Sequence, residues 1–229
     1  MKKRPFIIAL DGPSGAGKST LARELAKRFH FLWIDTGALY RCFGLAVLRA
    51  HGGLPAQRED VLSLLSKLNI RFQREDNRIF LNEEDVSEAI RRPEISLLTS
   101  ELSAWPEVRA ALLECQKALA LAAPQGAILD GRDIGTVVFP DADIKFFITA
   151  APEERARRRQ QEWAAQGVLK TFEEVFLEQS RRDLADSQRA VAPLKQAEDA
   201  RWVDTSGQSL EQAMEGLERE IRRCWEDGG

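Results

Sequence analysis

Five short apolar-rich runs punctuate the chain: FIIAL (6–10), FLWID (31–35), GAILD (126–130), IKFFI (144–148) and RWVD (201–204). Each has the length of a buried strand, and helical periodicity fills the intervals between them. After the first run, Leu21, Leu25 and Phe29 recur at helical spacing with Ala22 and Ala26 beside them. Strand alternating with helix predicts an α/β fold around a parallel central sheet. Two stretches depart from this rhythm. IRFQREDNRIFLNEEDV (70–86) reads as a small antiparallel hairpin around a polar turn at Glu75–Asn77. It is more polar than the other strands and belongs in an insert, not in the central sheet. The second is the highly charged, helical run from Glu153 to Arg189.

The interval after the first strand carries the clearest chemistry. GPSGAGKS (12–19) fits G-x-x-x-x-G-K-[ST], with a strand before it and a helix after it, the context that pattern requires. Gly12, Gly15 and Gly17 let the backbone turn tightly and aim its N–H groups at phosphate oxygens. Pro13, Ser14, Ala16 and Thr20 complete the loop and first helical turn. The helix starting near Lys18 adds its positive end. Lys18 is placed to reach the β- and γ-phosphates, and the Ser19 hydroxyl to meet Mg²⁺. Asp130 ends an apolar run, the position of a carboxylate near that Mg²⁺, directly or through water. A nucleoside triphosphate is the expected donor; the loop leaves open whether water or a second substrate takes the phosphoryl group.

Composition narrows the class. A chain of 229 residues with 44% apolar and 30% charged residues can bury a full core. A net charge of −3 argues against a dedicated nucleic-acid groove, and arginines outnumber lysines 24 to 9, a bias that suits bidentate phosphate binding. Cys42, Cys115 and Cys224 are scattered in no metal-ligand spacing and read as reduced thiols. With only His30 and His51 present, neither a histidine zinc site nor a Ser-His-Asp triad is expected. The basic-then-apolar start MKKRPFIIAL is too short for a signal peptide, and no run approaches a membrane span. A soluble, cytoplasmic protein, monomeric and without nucleic-acid or membrane partners, is the expectation.

Three further stretches bear on the acceptor. IDTGALYR (34–41) puts Thr36, Tyr40 and Arg41 where a strand passes into a helix, the edge at which open α/β sheets bind ligands. The plainer alternative is a helix cap at Asp35 or Thr36 with a solvated arginine. DGRDIG (130–135) offers Arg132 to a phosphate and Asp133 to an exocyclic amine, against a purely structural ion pair. Arg182, Asp186 and Arg189 share one helical face, and Arg155, Arg158 and Arg159 share another. The eight basic and eight acidic residues between 150 and 190 would equally make a solvated, salt-bridged helical pair. A GTP-dependent switch lacks support, because no Asn-Lys pair exists for reading guanine and the one Asp-x-x-Gly, Asp204–Gly207, lies on the last strand.

Taken together, GPSGAGKS, DTGALYR, WPEVRAALL, DGRDIGTVVFPDA, EERARRR and RAVAPL closely resemble bacterial cytidylate kinases, in family order and over nearly the whole chain. The resemblance implies a three-layer P-loop fold with a parallel sheet, an inserted acceptor-nucleotide domain containing the hairpin, and a helical lid. One unit over 1–229 would comprise a core (1–35, 111–152 and 190–229), an acceptor insert (36–110), and a lid with its following helix (153–189). The implied reaction moves the γ-phosphoryl of ATP to CMP or dCMP with Mg²⁺. Thr36, Arg41, Arg132 and Arg189 would surround the acceptor phosphate, with Tyr40 also in the CMP site. Ser100, Arg109 and Asp133 would read cytosine, and Arg182 and Asp186 would hold the sugar. Arg155, Arg158 and Arg159 would close over ATP, and Lys18, Arg132, Arg158 and Arg189 would stabilise the transferring group. Two residues depart from many relatives: Thr36 stands where serine is common, and Ser19 where glycine is. A kinase for another nucleoside monophosphate or small metabolite, or a hydrolysing NTPase, would share the loop without needing Ser100, Arg109 and Asp133 to converge.

Overall fold

The apolar runs become strands in the computed structural model, which describes residues 4–55, 57–73, 78–165 and 167–227. In chain order the elements are β1 (Phe6–Asp11), α1 (Lys18–Phe29), β2 (Leu32–Asp35), α2 (Thr36–His51), α3 (Arg58–Ser63), β3 (Ile70–Phe72), β4 (Ile79–Leu81), β5 (Glu84–Asp85), α4 (Pro93–Leu102), α5 (Pro106–Leu121), β6 (Gly126–Gly131), β7 (Ile144–Thr149), α6 (Pro152–Ala165), α7 (Phe172–Gln188), β8 (Arg201–Asp204) and α8 (Leu210–Asp227). A π-helical turn, Ile134–Val138, lies between β6 and β7.

Five strands form one parallel sheet in the order β2-β6-β1-β7-β8. Alternate side chains feed two cores. Ile8, Leu10, Ile128, Phe146 and Ile148 pack under α1 and α8, whose Leu21, Leu25, Met214, Leu217 and Ile221 are fully or almost fully buried. Ile7, Ala9, Ile34, Ala127 and Leu129 face the opposite side, beneath α2 and α5. The second sheet, β3-β4-β5, is antiparallel, and its Ile70, Phe72, Ile79 and Leu81 join that second core. The expected hairpin is therefore separate from the central sheet in hydrogen bonding but continuous with it in packing. Its turn at Glu75–Asn77 lies outside the described residues.

Strand ends differ from expectation by one residue, for local reasons. β2 starts at Leu32 because Phe31 closes α1: its N–H donates to Ala26 O at 2.9 Å while His30 turns left-handed at φ 57°. β1 and β6 each run one residue further because Asp11 pairs in register with Gly131. That register, with Asp35 opposite Asp130, sets three carboxylates along the C-terminal edge of the sheet. β1 leads to β2 towards one edge of the sheet and its neighbour β7 leads to β8 towards the other, so a crevice opens where the direction reverses.

Candidate active site

The phosphate loop joins β1 to α1 at the crevice. At Gly12 a Cβ would sit 1.9 Å from Ile148 O, and the backbone there has φ 145°, so only glycine fits. Gly17, at φ 85°, precedes α1 with no side-chain cap, and no acidic residue occupies the first turn. The first N–H groups of α1 thus face the loop with nothing negative to satisfy them, an arrangement suited to an anion. Lys18 is 5% exposed and its Nζ donates to Pro13 O at 2.6 Å. Burial, then repulsion from Arg132, pulls its pKa well below the usual 10.5, against Asp130 and Asp11. Ser14 O accepts from Arg155 Nη1 at 3.1 Å and Gln179 Nε2 at 2.9 Å, and Ala16 O from Thr205 Oγ1 at 3.3 Å. Gly15, Ser19 and Thr20 complete the loop and first turn, the last two exposed.

Asp130 stands beneath this loop. Its Oδ2 accepts from Ser19 Oγ at 2.6 Å and its Oδ1 from Trp33 Nε1 at 2.8 Å. Burial, reinforced by the neighbouring Asp35, raises its pKa to about 6, partly offset by those two hydrogen bonds and Lys18. A buried carboxylate under that strain, touching a hydroxyl at the end of a phosphate loop, is a hard-oxygen donor pair that fits Mg²⁺ completed by nucleotide oxygens.

On the acceptor side the carboxylates and arginines are paired with each other. Asp35 caps α2, accepting from Ala38 N at 2.9 Å, and also holds Arg41 Nη2 at 2.8 Å, so the capping expected at Asp35 is present and Arg41 rests on the capping carboxylate. Arg41 Nε is buried without a partner. Thr36 is 5% exposed and its Oγ1 donates to Asp130 O at 2.8 Å, leaving the oxygen's lone pairs as its remaining capacity. Arg109 Nη2 and Asp133 Oδ2 pair at 2.5 Å with both side chains largely buried. The Arg109 guanidinium lies 5.7 Å from the Tyr40 ring, whose phenol burial shifts upward in pKa. Arg132 Nε donates to Asp186 Oδ2 at 2.9 Å, and Arg189 Nη1 lies 3.7 Å from Asp186 Oδ1. Arg189 Nη2 also donates to Ala192 O at 2.7 Å, and burial lowers its pKa. Arg182 is reached by solvent, yet the protein density around it and the nearby Arg132 hold its pKa down to about 10. Ser100 is exposed on α4.

The three arginines of α6 do not act alike. Arg155 is buried, bonded to Asp183 and to Ala150 O at 3.0 Å as well as to the phosphate loop. Arg158 pairs with Glu154 and donates to Thr205 Oγ1 at 3.0 Å and Thr205 O at 2.9 Å. Arg159 meets Glu162 at 3.0 Å and lies 4.8 Å from the Trp163 ring. The shared face expected from spacing resolves into an anchor at Arg155, a loop contact at Arg158 and a surface contact at Arg159.

Several site residues escape a reading of the sequence. Trp33 holds Asp130, Gln179 and Thr205 hold the loop itself, Asp183 holds Arg155, and Asp11 takes the N–H groups of Ile134 and Gly135, over separations as long as 189 residues. For Asp11 the available signal was a carboxylate ending an apolar strand, the same signal that marks Asp130. Gln179 and Thr205 carry none.

A family model described as cytidylate kinase matches residues 8–223. A cytidylate kinase from Syntrophotalea carbinolica is 50% identical over 217 residues, covering 93% of this chain and 91% of its own. One from Geobacter sp. (strain M21) is 47% identical over 225 residues, covering 97% and 95%. A crystal structure of an uncharacterized protein from Eubacterium ventriosum shares the fold, with a TM-score of 0.54 at 11% identity over 95% of this chain and 98% of that one.

Proposed function

This chain belongs to the cytidylate kinase family and is a phosphotransferase, and from that premise we propose that it moves the γ-phosphoryl group of ATP onto CMP, and onto dCMP, giving ADP and the diphosphate. The observation that carries the acceptor assignment is the buried Arg109–Asp133 pair. Cytosine offers an N4 amine donor with acceptors at N3 and O2; a carboxylate and a guanidinium, joined by Ser100, supply the complement. Uracil turns an acceptor, O4, towards Asp133, and a buried carboxylate left unpaired in this way rejects it.

In this reading residues 36–110 form the acceptor domain, 153–189 the lid, and the remainder the core. Thr36, Arg41, Arg132 and Arg189 surround the acceptor phosphate, Tyr40 backs Arg109, and Arg182 and Asp186 hold the sugar. Residues 12–20 cradle ATP with Arg155, Arg158 and Arg159. Ser19 and Asp130 would hold Mg²⁺, which when bound supplies positive charge to the triphosphate oxygens. Lys18, Arg132, Arg158 and Arg189 neutralise charge on the group in flight, where positioning and electrostatics outweigh covalent chemistry. The acceptor phosphate is already anionic near neutral pH, so no general base is needed. The reading has the enzyme work as a cytoplasmic monomer; among the described residues no helix is long and apolar enough to cross a membrane.

A coupled ADP-release assay with ATP and Mg²⁺, run in parallel with CMP, dCMP, UMP, AMP and no acceptor, tests this. Turnover confined to CMP and dCMP is expected. Preference for UMP or AMP would overturn the base site, and ADP release without an acceptor would make the protein a hydrolase.

A further inference from the structure

Asp133 occupies the position from which an aspartate ordinarily caps a following helix. It precedes the π-turn Ile134–Val138, yet its side chain makes no capping bond there. Its carboxylate turns instead to Arg109. What frees it is Asp11, which comes from a different strand. Asp11 Oδ1 accepts from Ile134 N at 2.8 Å and Oδ2 from Gly135 N at 2.7 Å, so both leading donors of the turn are satisfied from below. The side chain is 4% exposed, and Gly135 fits tightly between it and Lys145: a Cβ there would lie 3.0 Å from Lys145 Cδ and 3.4 Å from Asp11 Oδ2.

Asp11 also ends the strand that runs straight into Gly12, so one residue connects the phosphate loop to the turn that follows Asp133. We propose that Asp11 is a positioning residue for acceptor selection: by capping the Ile134–Val138 turn in place of Asp133, it leaves the Asp133 carboxylate free to pair with Arg109 and read the base. This rests on the CMP kinase reading above. A carboxylate that merely satisfied two buried N–H groups would influence stability alone. The proposed role ties it to discrimination between bases.

In Asp11→Asn one acceptor oxygen becomes an amide donor, which leaves Ile134 N–H or Gly135 N–H without a partner. Asp133 is the nearest residue able to replace it, and in doing so it leaves Arg109. The measurement is kcat/KM for CMP and UMP in wild type, Asp11→Asn, Asp133→Asn and the double variant, with the KM for ATP alongside. We expect the CMP/UMP ratio to fall at least 10-fold in Asp11→Asn while the KM for ATP changes less than 3-fold. The double variant should be no less selective than Asp133→Asn alone, because both changes remove the same contact. A selective wild type with an unchanged ratio in Asp11→Asn overturns the role of Asp11, as does an equal loss for both acceptors. A wild type indifferent to the base overturns the parent reading and this one together. Should Asp11→Asn not fold, Gly135→Ala displaces the same turn from the other side, and an unchanged ratio there is equally fatal.

Discussion

Replacing Asp133 by asparagine isolates the group on which the acceptor assignment depends. The carboxylate is 14% exposed and its partner Arg109 8%, so water screens the pair poorly. Against UMP, wild type forfeits a charge-assisted hydrogen bond, about 1.5–3 kcal/mol, and leaves a buried acceptor facing O4, about 1–3 kcal/mol more. Together these amount to about 2.5–6 kcal/mol, or roughly 10²–10⁴-fold in kcat/KM. An asparagine keeps an acceptor for Arg109 and can turn its NH₂ towards O4. The ratio in Asp133→Asn should therefore contract to within about 10-fold, with kcat/KM for CMP itself falling about 10–100-fold as a charged bond becomes a neutral one. Arg109 also loses a full countercharge, which costs about 1–3 kcal/mol of stability, less than the cost of removing a buried partner outright. At about 2–4 °C per kcal/mol for a chain of this size, the melting temperature should drop about 2–12 °C. The assay is the ADP-release measurement with each acceptor at saturating ATP, well below that melting point. A variant that kept the wild-type ratio would refute the reasoning, because nothing else assigned to the base distinguishes N4 from O4.

Lys18→Ala should cut turnover at least about 10³-fold with every acceptor, since it removes charge from the transferring group, while circular dichroism melting shows no loss of stability. The lowered pKa of Lys18 means that burying its charge works against folding. Arg155→Ala should behave oppositely: it strands Asp183 and removes two anchors from Ser14 and Ala150, costing about 3–5 kcal/mol in denaturant unfolding. Wild-type stability in that assay, with a raised KM for ATP, would leave Arg155 its nucleotide contact and remove its anchoring role. Asp11 is held near a pKa of about 6 in the fold, mainly by burial, against an ordinary value of 3.8. Its contribution is fully favourable below 3.8 and is lost as pH rises through about 6, up to about 3 kcal/mol in all. Asp11→Asn should accordingly flatten the fall in stability between pH 4 and 7, and an unchanged slope would show that other groups set it.

How much of this was legible depended on the range of the interaction that carries it. The five strands and the phosphate loop are written in neighbouring residues, because alternating burial and a glycine-rich turn are local constraints, and only ends set by register or by the closing turn of α1 moved. Asp130 could be placed because a carboxylate terminating a buried strand has nowhere to go but the sheet edge. The same logic applied to Asp11, but its use could not be read, since the donors it serves at Ile134 and Gly135 come from a strand pairing that brings residues more than 120 apart together. Helical spacing correctly put Arg155, Arg158 and Arg159 near one another. It could not tell which of them faces Asp183, because that depends on how α6 packs on α7.

The same distinction explains why arginine enrichment was ambiguous in the sequence. Each of Arg41, Arg109 and Arg132 holds a carboxylate within 3 Å: Asp35, Asp133 and Asp186. On the proposed reading, a salt-bridge network and a phosphate site are two uses of one set of residues. Unpaired, clustered guanidinium groups would repel one another and destabilise the fold, so the resting pairs let the cleft keep its charge without that cost. A nucleotide on the proposed reading then exchanges partners: its phosphate takes Arg41 and Arg132, its ribose takes Asp186, and its base is shared between Arg109 and Asp133. Such an exchange yields less affinity than binding to free cations would, but it discriminates better. An acceptor that supplies the phosphate without the matching base breaks the Arg109–Asp133 pair and offers Asp133 nothing in return.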